Sequence, residues 1–281
     1  MKRIILTCFV CLVALSANAQ VKMPPASPTF EIKGTVGLTE VSVIYSRPSA
    51  KGRKVAGELI PYNEVWRTGA NASTKLSFST DVKLEGNLVA AGTYALYTLF
   101  TEEEATVILS KNLDWWGAIG YDATEDVLRF KVPVKHPSSH YETFTISFSD
   151  FTLDAAYLNL KWEHTKVMFR IESEVDSIVM GQIKANVIDR STENTNTLFQ
   201  SASYYYETGR DSELALEWIN KAIDLADEPA YWVFHLKAKL LARLDRKKTA
   251  IETAQRSIDL AKKAGNPDYV KLNEKLIRSM N

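Results

Sequence analysis

The sequence predicts a β domain, an antiparallel sandwich or barrel, followed by an all-α domain of helical-repeat type. Three observations predict it. From about residue 30 to residue 172, apolar and polar residues alternate in short runs, which is the period of half-buried strands. At about residue 173 the period lengthens to that of a helix. Beyond residue 191 one helical pattern occurs twice.

The chain opens with Lys2 and Arg3, an apolar run from Ile4 to Leu15, and Ala17-Asn18-Ala19. This is the pattern of a secretory signal peptide, residues 1–19, and its apolar run is shorter than the ~20 residues of a spanning helix. Cleavage after Ala19 predicts a periplasmic or secreted protein with no membrane span. It also removes Cys8 and Cys11, so the exported chain has no disulfide and no cysteine metal ligand. Residues 20–29, with Pro24, Pro25 and Pro28, read as a flexible leader. A formal net charge of +0 gives no basis for nucleic-acid binding.

The β domain is expected over residues 30–172. Val41, Val43 and Tyr45 share one face of a strand, as do Leu76 and Phe78, then Leu128, Phe130 and Val132, then Phe144, Ile146 and Phe148. Thr93 to Phe100 is apolar on both faces, which predicts a central strand, and Thr106 to Ser110 returns beside it. Glu85-Gly86-Asn87 predicts a hairpin turn. Ala156, Leu158, Leu160 and Trp162, then Val167, Phe169 and Ile171, add two strands joined at His164. Roughly nine short strands with frequent turns suit a sandwich or a barrel.

Residues 173–190 read as a linking helix, with Val175, Ile178, Val179 and Ile183 at helical spacing. In residues 191–281, Ala215-x6-Ala222-Ile223-Asp224-Leu225 recurs as Ala250-x6-Ser257-Ile258-Asp259-Leu260, an offset close to the ~34 residues of a tetratricopeptide unit. Asp211 stands where a helix cap belongs, Pro229 opens the second copy, and Asn266-Pro267-Asp268 starts a last helix. Lys237 occupies a position where that motif wants an apolar residue. The tail therefore resembles a short tetratricopeptide-like array of helical hairpins, or else a plain helical bundle. The resemblance implies docking of a protein segment.

The run Tyr45 to Asn71, YSRPSAKGRKVAGELIPYNEVWRTGAN, breaks the strand pattern and concentrates charge, aromatics and glycine. Together with AGTYALYTLF, WWGAIGYD, LRFKVPV and ETFTISFSDF it resembles the family catalogued as domain of unknown function 2911, secreted proteins mainly of Bacteroidetes. The resemblance covers about Pro28 to Glu172. It implies an extracytoplasmic β domain with no established activity, often followed by helical repeats. The family often carries an acid just after Gly-Ala-Asn, where this chain has Ala72.

Two readings of that run stay open. In one, Arg47, Lys51, Arg53 and Arg67 gather near Trp66 and Tyr62, with Glu64 and Asn71 close by, and bind a small anionic or sugar ligand. Guanidinium forks match carboxylates and phosphates, and an indole offers a stacking face. In the other, Glu64 pairs with an arginine, Trp66 fills the core and Gly69-Ala70-Asn71 is a turn. Trp115 and Trp116 form a second candidate for sugar contact, one expected to face in and one out.

The sequence carries no Gly-x-Ser-x-Gly elbow, no Ser-x-x-Lys, no His-Glu-x-x-His and no phosphate-binding glycine loop. His136 and His140 are separated by Pro137 and lie between strands, so no metal site and no cofactor is expected. A non-catalytic binding or protein-interaction module is the resulting expectation. An enzyme or lectin-like binder at the Arg47–Asn71 loop is the alternative.

Overall fold

The computed structural model describes residues 23–280. The expected signal peptide, residues 1–19, and the first residues of the leader lie outside them. By its internal contacts the chain divides into two units, the second starting at Asp176.

The first unit is a β-sandwich. Its larger sheet has seven strands in the order β1(Thr29–Val36), β2(Thr39–Ser46), β4(Thr74–Phe78), β7(Gly92–Phe100), β8(Glu104–Ser110), β9(Asp126–Pro133), with the two-residue β3(Val65–Trp66) also pairing β7. The smaller sheet runs β10(Tyr141–Ser149), β11(Ala155–Glu163), β12(Thr165–Ser173), β5(Val82–Leu84), β6(Asn87–Val89). Every ladder within the sheets is antiparallel. Both inner faces share one core. Leu76, Leu96 and Leu109 from the first sheet meet Phe144, Leu158 and Phe169 from the second. Phe130 of β9 and Phe169 of β12 meet edge to face at 5.5 Å.

The expected alternations appear as strands β2, β4, β9, β10, β11 and β12. Glu85 and Gly86 turn the β5–β6 hairpin, both with positive φ. That hairpin joins the smaller sheet, which alternation alone did not indicate. β7 is central, flanked by β4 and β8. Its inward Leu96 and Phe100 enter the main core, while Ala95 and Tyr97 on the other face form a separate cluster with Ile108, Val65, Trp115 and Tyr121.

Strand β10 lies at a sheet edge, where unpaired backbone groups need partners. The residues that follow β2 supply them. Ala50 N donates to Glu142 O at 2.7 Å, Phe144 N donates to Pro48 O at 2.9 Å, and Arg47 Nε donates to Phe144 O at 3.1 Å. The buried Tyr45 hydroxyl accepts from Ile146 N at 3.0 Å and lies 3.3 Å from Ile146 O.

The second unit is all helix. α1(Asp176–Ile183) runs into a π-turn over Lys184–Ile188. α2(Thr195–Glu207) and α3(Ser212–Asp224) form one hairpin, α4(Tyr231–Arg243) and α5(Lys247–Lys263) a second, and α6(Pro267–Met280) closes the series. Each of α2 to α6 packs on the next, and α2, α4 and α6 also touch in succession. Asp211 caps α3 by accepting from Glu213 N and Leu214 N at 3.0 and 3.1 Å. Asn266 does the same for α6 at Asp268 N and Tyr269 N, with Pro267 at the first helical position. Half-buried Lys237 keeps its position in α4, and desolvation lowers its pKa.

Candidate ligand site

The Arg47–Asn71 run leaves one sheet and returns to it, and its turns are specified locally. Lys51 and Gly52 both take positive φ, which reverses the chain after the β10 edge contacts. At Gly57, with φ +84°, a Cβ would meet the Tyr62 ring at 2.8 Å, so glycine lets that ring pack down. Val55 and Ile60 are buried, and Ile60 N donates to Val55 O at 2.9 Å. The return passes through β3, then Thr68 and Asn71 at positive φ, where Thr74 Oγ1 donates to Thr68 O at 2.6 Å.

Between the two limbs of this run is an open cleft of about 410 Å³. Lys51 and Arg53 line it from the first limb, Arg67 from the second, and Leu59, Trp66 and Trp162 supply its apolar wall. Trp66 of β3 and Trp162 of β11 stack across the sandwich, with centroids 5.8 Å apart and planes 22° apart. Their N–H groups are already used: Trp66 Nε1 donates to Gly69 O at 3.1 Å and Trp162 Nε1 to Glu142 O at 3.3 Å. Trp66 is half-buried and Trp162 only 5% exposed, so what the indoles offer is a limited carbon surface, mostly from Trp66.

None of the three cations, Lys51, Arg53 and Arg67, is in an ion pair among the described residues, although Arg53 is near enough to Glu142 for its charge to help lower that carboxyl. Arg53 donates to Ala50 O and Ser49 O, both at 2.8 Å, which leaves Nη1. Arg67 Nη1 donates to Asn71 O at 3.1 Å, and its Nε and Nη2 have no acceptor among the described residues. The nearby carboxylate, Glu142, accepts from the Lys51 backbone N–H at 2.8 Å and faces His140. That N–H, then His140, holds its carboxyl below the usual range. Among the described residues, no Asp, Glu, Asn or Gln lines the cleft.

Of the expected site residues, Lys51, Arg53, Trp66 and Arg67 come together here. Arg47 does not: its guanidinium covers the β10 edge, with Nη2 on Thr145 Oγ1 at 2.8 Å, and lies over the Phe30 ring. Glu64 is exposed, outside the lining, and pairs with no arginine. Asn71 stands outside the lining and fastens the leader, its Nδ2 donating to Ser27 O at 3.3 Å. Trp162 and Glu142 were not among the expected site residues. Trp162 read only as an inward strand residue, because nothing in the sequence says that it meets Trp66.

Trp115 and Trp116 lie on the loop between β8 and β9. Trp115 packs on Tyr97 and Tyr121, whereas Trp116 is 66% exposed. Under this loop Lys75 Nζ donates to Ser73 Oγ at 2.8 Å and to Leu113 O, and desolvation lowers its pKa. Asp126 Oδ2 takes the Tyr121 hydroxyl at 2.5 Å and Arg129 Nε at 2.6 Å, while its buried Oδ1 has no partner among the described residues. These contacts tie the loop to the sheet. His136 and His140 go different ways, to Glu102 O and to Glu142, and no cluster of metal-ligand type occurs among the described residues. Among them, too, no helix is long and apolar enough to cross a membrane.

Residues 27–171 match the family model described as Protein of unknown function (DUF2911). The chain belongs to the DUF2911 family. The matched span ends at Ile171 in β12, so the DUF2911 domain covers nearly all of the sandwich and every described residue of the cleft except Ala26. No curated protein and no solved structure matches the chain.

Proposed function

We propose that this protein is an exported, non-catalytic binding module. Its DUF2911 domain takes a small anionic ligand in the cleft between Lys51 and Arg67, and its helices dock a protein segment. One observation carries the first part: three cations, none of them in an ion pair among the described residues, line one concavity beside Leu59, Trp66 and Trp162. Guanidinium and ammonium donors in such a place favour a carboxylate or phosphate, and a volume of about 410 Å³ suits a small molecule. Export rests on the N-terminal pattern.

The test is intrinsic tryptophan fluorescence of the full chain titrated with inorganic phosphate and with acetate. A saturable change is expected. It should weaken as salt screens the exposed lysine and arginines, and vanish in the double variant Lys51→Gln, Arg67→Gln. No saturable change, or one indifferent to the double variant, would remove the reading. A carbohydrate site, lectin-like or enzymatic, is the alternative that the Trp66–Trp162 wall favours. Glucose in the same titration decides for it if glucose binds and the anions do not.

The helical half of the reading is supported by Trp232, 42% exposed beside a groove of about 220 Å³ that Phe199 and Val233 also line. Peptides selected by display on the full chain should lose binding in Trp232→Ser. Selection that yields no such peptide counts against docking at this groove.

A further inference from the structure

The lining of the cleft says more than that its occupant is anionic. Every hydroxyl of a neutral sugar wants both a donor and an acceptor. Here the side chains offer donors on Lys51, Arg53 and Arg67. Ser27 and Ser49 are the only neutral polar side chains among the described residues of the lining, and Ser49 Oγ already shares a bond with Thr143 Oγ1 at 3.2 Å. The indole N–H groups are spent on Gly69 O and Glu142 O. What remains beside the cations is carbon: the faces or edges of Trp66 and Trp162, and Leu59, which is 39% exposed.

The apolar wall is also thin. A second void of about 20 Å³ shares Ile60, Trp66 and Trp162 with the cleft, and its other lining residues are apolar except Thr165. The Trp66–Trp162 pair thus borders this small apolar space as well as the cationic cleft. An apolar body pressed against this pair buries carbon surface from water. A small, fully hydrated ion gains nothing from it.

We propose that the occupant is an amphiphilic anion: an acid whose carboxylate sits on Arg67 and Lys51 and whose planar apolar ring lies against Trp66, Trp162 and Leu59. This rests on the anion-binding reading above and narrows it. Recognition is divided between the two ends of the ligand. Charge-assisted bonds fix the head, and burial of the ring sets the affinity.

The experiment titrates the full chain with acetate, phenylacetate, indole-3-acetate, inorganic phosphate and glucose, read by calorimetry. Ring acids should bind at least tenfold tighter than acetate. Leu59→Ser should reduce that preference several-fold, and Arg67→Gln should weaken every anion. Leu59 is exposed enough for this change to leave the fold intact, which far-ultraviolet circular dichroism checks. If acetate and phosphate bind as tightly as the ring acids, the amphiphile is wrong and the anion site stands. If no anion binds, or only glucose binds, both fall.

Discussion

The Gly117 backbone sits directly against the Arg67 guanidinium: a Cβ built on Gly117 would collide with Arg67 Nη1. Gly117 also has φ +82°, a conformation that side chains other than glycine resist, and its carbonyl lies 3.4 Å from the Tyr97 hydroxyl. Gly117→Ala should therefore act twice, by straining the loop and by moving a cation of the cleft. We expect a loss of about 1 kcal/mol or more in urea unfolding, together with weaker anion binding. Gly120→Ala is the control. Gly120 has φ +79° but has only the Trp115 ring, at 4.0 Å, near its would-be Cβ, so it should lose similar stability and keep anion affinity. Equal binding losses in both variants would show that Gly117 does not position Arg67.

Arg47 looked like a ligand residue in the sequence and is an edge cover in the fold. Arg47→Ala leaves Phe144 O without its guanidinium donor and uncovers part of β10. Removing a hydrogen bond to a charged group costs about 1.5–3 kcal/mol when well formed, and the lower part of that range suits a half-buried side chain. Urea unfolding should show it, with phosphate affinity unchanged. A binding loss at unchanged stability would reverse this assignment.

Tyr121 should ionise late. Burial first, then the hydrogen bond to Asp126, pushes its pKa up to about 12, above the ordinary ~10. Between these values the unfolded chain has lost a proton that the folded chain keeps. The contribution of Tyr121 to stability is therefore complete below pH ~10 and is lost as pH rises through about 12. Burial also raises the pKa values of Tyr97 and Tyr269, so tyrosinate absorbance in Tyr121→Phe should lose part of its late-titrating amplitude. Loss of amplitude near pH ~10 instead would show that Tyr121 ionises at the ordinary value.

His235 makes the opposite prediction at the acid side. Asn273 Nδ2 donates to Ser257 Oγ and Tyr269 O, so its Oδ1 is the acceptor and His235 Nδ1 donates to it at 2.8 Å. Burial lowers the His235 pKa below ~6.5, and Lys239 adds to this against the favourable bond to Asn273. The unfolded chain then binds the proton more readily. Stability from the neutral ring is complete above pH ~6.5 and is lost as pH falls through the lower folded value. Thermal unfolding at pH 7 and pH 5 should show a smaller drop for His235→Gln than for the parent chain. An equal drop would mean that the ring titrates normally.

Much of the architecture was legible in residues near one another in sequence. Alternation marked β2, β4 and β9 to β12 because one face of each is buried and the other is not. Asp211 was legible as a cap because a cap bonds to the backbone two or three residues on, and Asn266 only as part of a helix start. Beyond local range the sequence was silent. β5 and β6 are three residues each, too short for alternation to assign them to a sheet. Arg47, Lys51, Arg53 and Arg67 are four similar cations within one run. Their roles separate only because β10 is an edge with carbonyls to cover, and Arg47 reaches one of them.

What the sequence determined by itself is therefore the succession of strands and then helices, the turns that glycine and asparagine permit, and the concentration of charge and aromatics between Tyr45 and Asn71. These follow from contacts between close neighbours along the chain. The tertiary structure alone decided that Trp162, far along the chain, stacks on Trp66. It also decided which cations remain unpaired beside them. The reason is physical: a cleft is bounded by whatever surfaces the packing of two sheets brings together, and no local pattern records which residues those are.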